Sequence, residues 1–380
     1  MKNIFIKPRQ LDKKTLKKEL VEIKKEYPGL VVKDEYMTQL EDLFLLRNPK
    51  FRFIKEYKKD FEKFVSDYKK NQTDLSQCGN WFFFPWLSVV FHVLEEVDFF
   101  EMRTGRNCNL ITKKEQKAFY EATIALAGLS VGSHAASTIV MNGGARRFKI
   151  ADLDVLSGSN LNRVRTGVQN IGEDKSHLVA RQLYELNPYI KLELYDEGIS
   201  EKNIESFLKG ADLLIEEMDN PFYKFKIREI AKIKKIPVIM ATDNGDNIFI
   251  DIERYDLQPN LALFNGKAMN ITSNDLKTID PRELPRIAAR IAGAEIATTR
   301  MQQSVLEVGK TLYSWPQLGT AANLCGTALA FLARNIVNGY KNYKSGRYEI
   351  NLEAVLDADY AKNKNRRLKD TKKFLQIIGI

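Results

Sequence analysis

The chain has 380 residues, with 59 Lys and Arg against 49 Asp and Glu for a formal net charge of +10. That length accommodates one large α/β domain with a sizeable core plus an accessory unit. The basic excess gathers in the N-terminal region and in the tail Lys362–Lys373, with no nucleic-acid reader motif beside it, so a nucleic-acid partner is not expected. Cys78, Cys108 and Cys325 lie far apart and form no CxxC pair, which excludes a disulfide framework and leads us to expect no zinc. The start, MKNIFIKPRQ, lacks the apolar core of a signal peptide. The most apolar stretch, Trp81 to Leu94, is too short to span a bilayer and contains Pro85. A cytoplasmic location without membrane contact is the expectation.

In chain order, Ile4–Ile6 reads as a short strand and Lys13–Glu26 as an amphipathic helix, with Leu16, Leu20 and Ile23 at helical spacing. Mixed helical pieces follow, and residues 1–110 read as an accessory region. The WFFFPW segment, Trp81–Trp86, needs covering, either as buried core or as a dimer surface, and His92 reads as a satisfied core residue. From Glu115 onward strand and helix alternate. The predicted strands are Thr123–Leu126, Phe148–Ile150, Lys191–Tyr195, Asp212–Ile215 and Ile236–Met240. Such alternation predicts a parallel sheet covered by helices on both faces. Asn247–Tyr255 reads as an added antiparallel strand, Pro281–Ala297 as a helix rich in Arg and Ala, and Ala321–Asn338 as a long helix in which Cys325 packs. The expected domains are 1–110, 111–350 and a basic C-terminal segment, 351–380.

The chemistry concentrates between Gly128 and Lys175. Gly128, Gly132 and Ser133 in GLSVGS would turn the first strand tightly into a helix beginning near His134, presenting free backbone N–H groups to an anion. The second strand delivers Asp152 where a Rossmann-like unit places the acid that grips a ribose hydroxyl. Asp154 reads as a loop-shaping residue. The next segment, SNLNR, adds Asn160, Asn162 and Arg163, and Lys175 follows the turn at Gly172. Two cations beside a phosphate cradle suit a triphosphate being cleaved. Asp219 ends the fourth strand at the carboxyl edge, and Asp243, at the end of the fifth, is a second candidate acid. His134 reads as a helix-start residue, and nothing near Cys108 is arranged to make it a nucleophile.

These motifs, ADLDVLSGSNLNR, the lysine after the Gly172 turn, Asn187–Pro188, and a strand ending in Met218–Asp219–Asn220, resemble the ThiF/MoeB and ubiquitin-activating-enzyme superfamily. The resemblance is strongest over residues 103–260. It departs from the usual GxGxxG in lacking a glycine. It implies an α/β, Rossmann-like parallel sheet and an enzyme that adenylates a carboxylate with ATP and Mg²⁺. In that scheme Asp219 holds the magnesium, Arg163 and Lys175 contact phosphates, and Gly128, Gly132, Ser133, Asp152 and Asn160 line the nucleotide. Arg103 or, preferably, Arg106 would reach the site of a second copy, so a homodimer is expected.

The absence of a zinc clip and of a downstream transfer thiol other than Cys325 is similar to members that modify ribosomally made precursor peptides, of the microcin C and pantocin kind. The N-terminal region would then clamp the peptide. The alternatives are a carboxylate on modified tRNA, the C-terminus of a ubiquitin-like protein, or a nucleotide- or NAD-binding module without adenylation chemistry.

Overall fold

The computed structural model describes residues 6–69, 72, 74–280 and 282–380. The chain divides into two compact units: Met1–Gln116 with Leu183–Tyr189, and Lys117–Gln182 with Ile190–Ile380. The strand expected over Ile4–Ile6 falls, apart from Ile6, outside the described residues.

The first unit runs β1 (Arg9–Leu11), α1 (Leu16–Glu26), β2 (Val31–Lys33), α2 (Tyr36–Arg47), α3 (Lys58–Lys69), β3 (Asn80–Phe84), β4 (Val89–Val93) and α4 (Glu96–Thr104), with α5 (Lys113–Glu121) leading onward. Its sheet has the order β1-β3-β4-β2, in which only β2 is parallel to its neighbour. Alternate residues of a strand face opposite sides. Accordingly Trp81 and Phe83 pack with Leu11, Leu16, Ile23 and Val90, while Phe82 and Phe84 pack with Val93. All five residues of β3 are buried. The aromatic segment is therefore covered within its own unit and supplies no argument for a second copy. His92 is a satisfied core residue: Nδ1 lies 2.9 Å from Asp34 Oδ1 and Nε2 2.9 Å from the Cys78 carbonyl. Its ring is stacked between Tyr36 and Trp81 at centroid distances of 4.0 and 4.1 Å.

The second unit runs β5 (Thr123–Ala127), α6 (Gly132–Met141), β6 (Arg147–Ala151), α7 (Lys175–Leu186), β7 (Lys191–Tyr195), α8 (Ile204–Leu208), β8 (Leu213–Glu216), α9 (Pro221–Ile233), β9 (Val238–Asn244) and β10 (Asn247–Glu253). After these come α10 (Leu284–Ile291), α11 (Thr299–Glu307), α12 (Gly319–Val337), β11 (Gly346–Ile350), α13 (Leu352–Leu356) and α14 (Lys364–Ile378). The seven-stranded sheet has the order β11-β10-β9-β8-β5-β6-β7. Strands β5 to β9 are parallel and β10 and β11 antiparallel, as the alternation and the added strand predicted. The helix expected over Pro281–Ala297 is shorter. It stops at Ile291 because Gly293 adopts a left-handed φ of +75°, and Pro281 lies outside the described residues.

Helices cover both faces of this sheet. Ala125, Ala127, Leu214 and Val238 pack against Ile204 and Phe207 of α8 and Ile227 and Ala231 of α9. On the other face α6 and α12 pack together, and the small residues Ala322, Gly326 and Ala330 of α12 are buried. Because the strands are parallel, Gly128, Asp152, Glu217–Asp219 and Asp243 all emerge at one carboxyl edge, the edge at which open α/β sheets bind ligands.

Beneath this edge lies a charged cluster sealed from water. Arg228 of α9 is fully buried, pairs with Glu216 of β8, and donates from Nε to Glu253 Oε2 of β10 at 2.7 Å. Glu253 Oε1 accepts from Tyr255 at 2.5 Å and from the Phe264 amide at 2.7 Å. The guanidinium lies 4.1 Å from the Phe264 ring centroid. Burial opposes ionisation of Glu216, yet Lys224 and Arg228 hold its carboxyl below the usual range. Deleting one partner of such a cluster strands the others without water. Arg228→Met should therefore lower unfolding stability by about 3–5 kcal/mol in denaturant titrations, and a loss below about 1 kcal/mol would contradict this account.

Candidate functional site

The centre of the site is the turn from β5 into α6. Gly128 adopts φ +92°, and its amide donates to the Ala151 carbonyl at 2.9 Å. A Cβ here would lie 2.3 Å from the backbone oxygen of Glu217, so no other residue fits. One at Gly132 would lie 2.6 Å from the Leu126 side chain. Ser133 at the start of α6 donates its hydroxyl to the Ser130 carbonyl at 2.9 Å. The turn is thus tied down by its own residues and by β6 and β8.

Asp152 closes the turn from β6. Its Oδ2 accepts the Leu129 amide at 2.6 Å and its Oδ1 the Asp154 amide at 2.8 Å. Burial raises the carboxyl above its ordinary range, opposed by the charge of Lys175. Lys175, at the start of α7, is buried and reaches Asp154 Oδ2 at 2.8 Å, while its amide donates to the Asp154 carbonyl. Asp154, read from sequence as a loop-shaping residue only, is therefore the direct ionic partner of the predicted phosphate lysine.

Arg163 follows the short 3₁₀ turn Gly158–Asn162. Its Nε donates to Ser130 Oγ at 3.2 Å, and Nη1 donates to Asn162 Oδ1 at 3.0 Å and to the Ser159 carbonyl at 3.3 Å. Burial lowers its pKa, and the charges of Asp243 and Asp219 oppose that. Asn160 uses Oδ1 to accept the Ser157 amide at 3.0 Å, in a capping box that shapes the turn carrying Arg163. Asn162 donates to the Gln317 carbonyl at 2.7 Å.

Opposite Arg163 stand the acids of β8 and β9. Asp219 is exposed, just beyond the carboxyl end of β8. Asp243 Oδ2 accepts from Gln317 at 3.2 Å and Oδ1 accepts from the Cys325 thiol at 3.4 Å. Burial raises the Asp243 carboxyl, and it pushes that of Glu217 well above the usual range even though the Ala241 amide donates to Glu217 at 2.8 Å. Burial and the Asp243 charge likewise push the Cys325 thiol up, so it is held protonated and shielded. Among the described residues no group of three or more His, Cys, Asp or Glu could hold a metal ion. A magnesium ion, however, is commonly held by one or two carboxylates together with substrate phosphates, which is what Asp219 at this edge can supply.

The structure thus brings Gly128, Gly132, Ser133, Asp152, Arg163, Lys175 and Asp219 to one edge of one unit, with Asn160 supporting the turn. Arg106 is exposed on the turn Gly105–Asn107 of the first unit, and Arg103 lies 5.5 Å from the Phe99 ring centroid there. Besides Asp154, two residues escaped the sequence reading. Ser130 stands where the motif lacks its glycine and bonds Arg163. His134, read as a mere helix-start residue, is buried with Nε2 2.5 Å from the Arg163 carbonyl. The missing glycine was the available signal for the first; nothing in the sequence signalled the second.

Among relatives, the chain is 33% identical over 283 residues to the uncharacterized protein MT1398 of Mycobacterium tuberculosis, covering 74% of this chain and 39% of that protein. It is 25% identical over 99 residues to a sulfur carrier protein adenylyltransferase of Thermus thermophilus, 26% of this chain and 36% of the relative. The chain therefore spans less than two thirds of these curated relatives. Similar solved structures include the E. coli tRNA N6-threonylcarbamoyladenosine dehydratase TcdA, at 16% identity and TM-score 0.46 over 64% of this chain and 97% of that one. E. coli MccB with a succinimide aligns at 14% identity and TM-score 0.45 over 69% of this chain and 80% of that one. The sequence profile of the ThiF family matches residues 104–372, which takes in the glycine turn, both cations and the edge acids, and the chain belongs to this family of adenylating enzymes.

Proposed function

We propose that this protein activates a carboxylate of a ribosomally made peptide as an acyl-adenylate, using ATP and magnesium. The observation that carries the reading is the meeting of Arg163 with Ser130 of the glycine turn, opposite Asp219 and Asp243. A half-buried cation fixed beside free helix-start amides suits a polyphosphate, and the Asp152 carboxyl beside the same turn suits a ribose hydroxyl. Asp219 would hold the magnesium ion, which supplies counter-charge to phosphate oxygens.

The substrate carboxylate attacks the α-phosphorus of ATP, a new C–O–P linkage forms, and the bond to the bridging oxygen breaks as pyrophosphate leaves. The protein's contribution is positioning and counter-charge, with Arg163 already fixed at the glycine turn before charge develops. Lys175 reaches phosphate by leaving Asp154. In a homodimer, Arg106 of a second copy would add a further cation. The protonated, buried Cys325 argues against a thiol relay, which leaves capture of the activated acid to a nucleophile of the substrate itself. The compact first unit, whose edge strand β2 has all three residues exposed, is the part suited to holding a peptide.

Magnesium-dependent ATP–pyrophosphate exchange that requires a precursor peptide is the expected activity. Exchange stimulated by tRNA or a ubiquitin-like protein, and by no peptide of a broad panel, would reject the substrate class. Arg163→Ala should reduce exchange by about 10²–10³-fold without unfolding the protein, and Asp219→Asn should shift magnesium dependence to higher concentration. Asp243 has a raised pKa and is neutral below it, where it leaves Arg163 uncompensated. ATP affinity should therefore fall as pH rises through that pKa. Calorimetric titration of Asp243→Asn should show a flatter pH profile than the unmodified protein, and identical profiles would refute the assignment.

A further inference from the structure

The departure of the glycine motif from its usual form coincides with a second unusual feature, a buried histidine three residues into α6. His134 is 2% exposed, and its Nε2 lies 2.5 Å from the Arg163 carbonyl. A carbonyl only accepts, so Nε2 carries the proton. Nδ1 is then a bare, buried nitrogen, and it has no hydrogen-bond partner in the structure. Burial also pushes the imidazole below its ordinary pKa, which keeps it in this neutral form. An apolar residue would avoid leaving a polar atom unpaired, so stability alone does not account for a histidine here.

The surroundings hold it still. Helix α12 approaches so closely at Gly326 that a Cβ there would lie 2.3 Å from His134 Cβ and 2.7 Å from its backbone carbon. His134 therefore grips the main chain of Arg163 from α6, while Ser130, two residues before α6 begins, accepts Arg163 Nε at 3.2 Å. Ser130 is itself fixed by the Ser133 hydroxyl on its carbonyl. The arginine is tied by its backbone to the first turn of α6 and by its side chain to the glycine turn, and the charges of Asp243 and Asp219 act on its guanidinium.

We propose that His134 and Ser130 are positioning residues that latch Arg163 to the glycine turn, so that serine in place of the customary glycine is a functional replacement. The latch rests on the adenylation reading for its purpose but not for its geometry. It places Arg163 for phosphates and leaves nucleoside binding alone. Calorimetric titration with ATP and magnesium, and separately with adenosine, reads this distinction. His134→Phe should weaken ATP binding by about tenfold, as loss of an orienting group does, with adenosine affinity unchanged. His134→Gln, whose amide N–H replaces Nε2–H, should recover most of the loss, and Ser130→Gly should repeat the phosphate-selective defect.

Equal losses for ATP and adenosine, or no recovery with Gln, would overturn the latch in favour of a packing role. With three histidines in the chain, ¹⁵N-histidine spectra of the ligand-free protein test the geometry directly. An Nε2–H tautomer at His134 is expected, and an Nδ1–H tautomer overturns the latch whatever the ligand does. Failure of the unmodified protein to bind ATP, with the Nε2–H tautomer present, would reject the adenylation reading and leave the latch standing.

Discussion

The close approach of Gly128 to the backbone of Glu217 is the constraint on which the site is built. With a side chain at 128 the turn would be driven off β8, and its contacts to β6 would go with it. Because it stays, one short turn touches three parallel strands at once. Its Leu129 amide donates to Asp152, its Ser130 hydroxyl accepts from Arg163, and through Arg163 it meets the charges of Asp219 and Asp243. Parallel strands are what make this economical, since their carboxyl ends lie side by side.

The same edge needs support from below. Arg228, Glu216 and Glu253 link α9 to β8 and β10 in a region closed to water, and Lys224 adds a cation on Glu216 at 3.0 Å. Two strands and a helix are thereby held in one register by charge pairs that cannot shift without exposing an unpaired ion. Apolar packing alone tolerates small slides of helix on sheet more readily. Specific register matters here because Glu216 immediately precedes Glu217, whose backbone meets Gly128, and Asp219 two residues further on.

The inner parallel strands of the second unit were legible because buried strands of this kind are short and largely apolar, and each is followed by a break. Lys191–Tyr195 came out at its observed bounds, and β9 and α12 within a few residues. The end of α10 was not, since its alanines and arginines continue helix-favourably and only Gly293 marks the stop. Of the candidate site, the residues carried by motifs could be named from the sequence, and the structure gathers them at one edge. What escaped depended on pairing across the fold: Asp154 with Lys175 over 21 positions, and His134 with Arg163 over 29. Local pattern carries no information about which acid a distant lysine will choose, and a histidine at a helix start looks the same whether its ring bonds a carbonyl or packs idly.

The ion pair of Lys175 with Asp154 has a consequence for selectivity. A visiting anion finds this ammonium already compensated at 2.8 Å, so it must outcompete a carboxylate that is tethered and therefore present at high local concentration. Chloride, acetate or a lone orthophosphate gains little from such an exchange. On the proposed reading, only a densely charged guest that also engages Arg163 and the turn amides would recover the lost attraction, which would set a threshold against small anions.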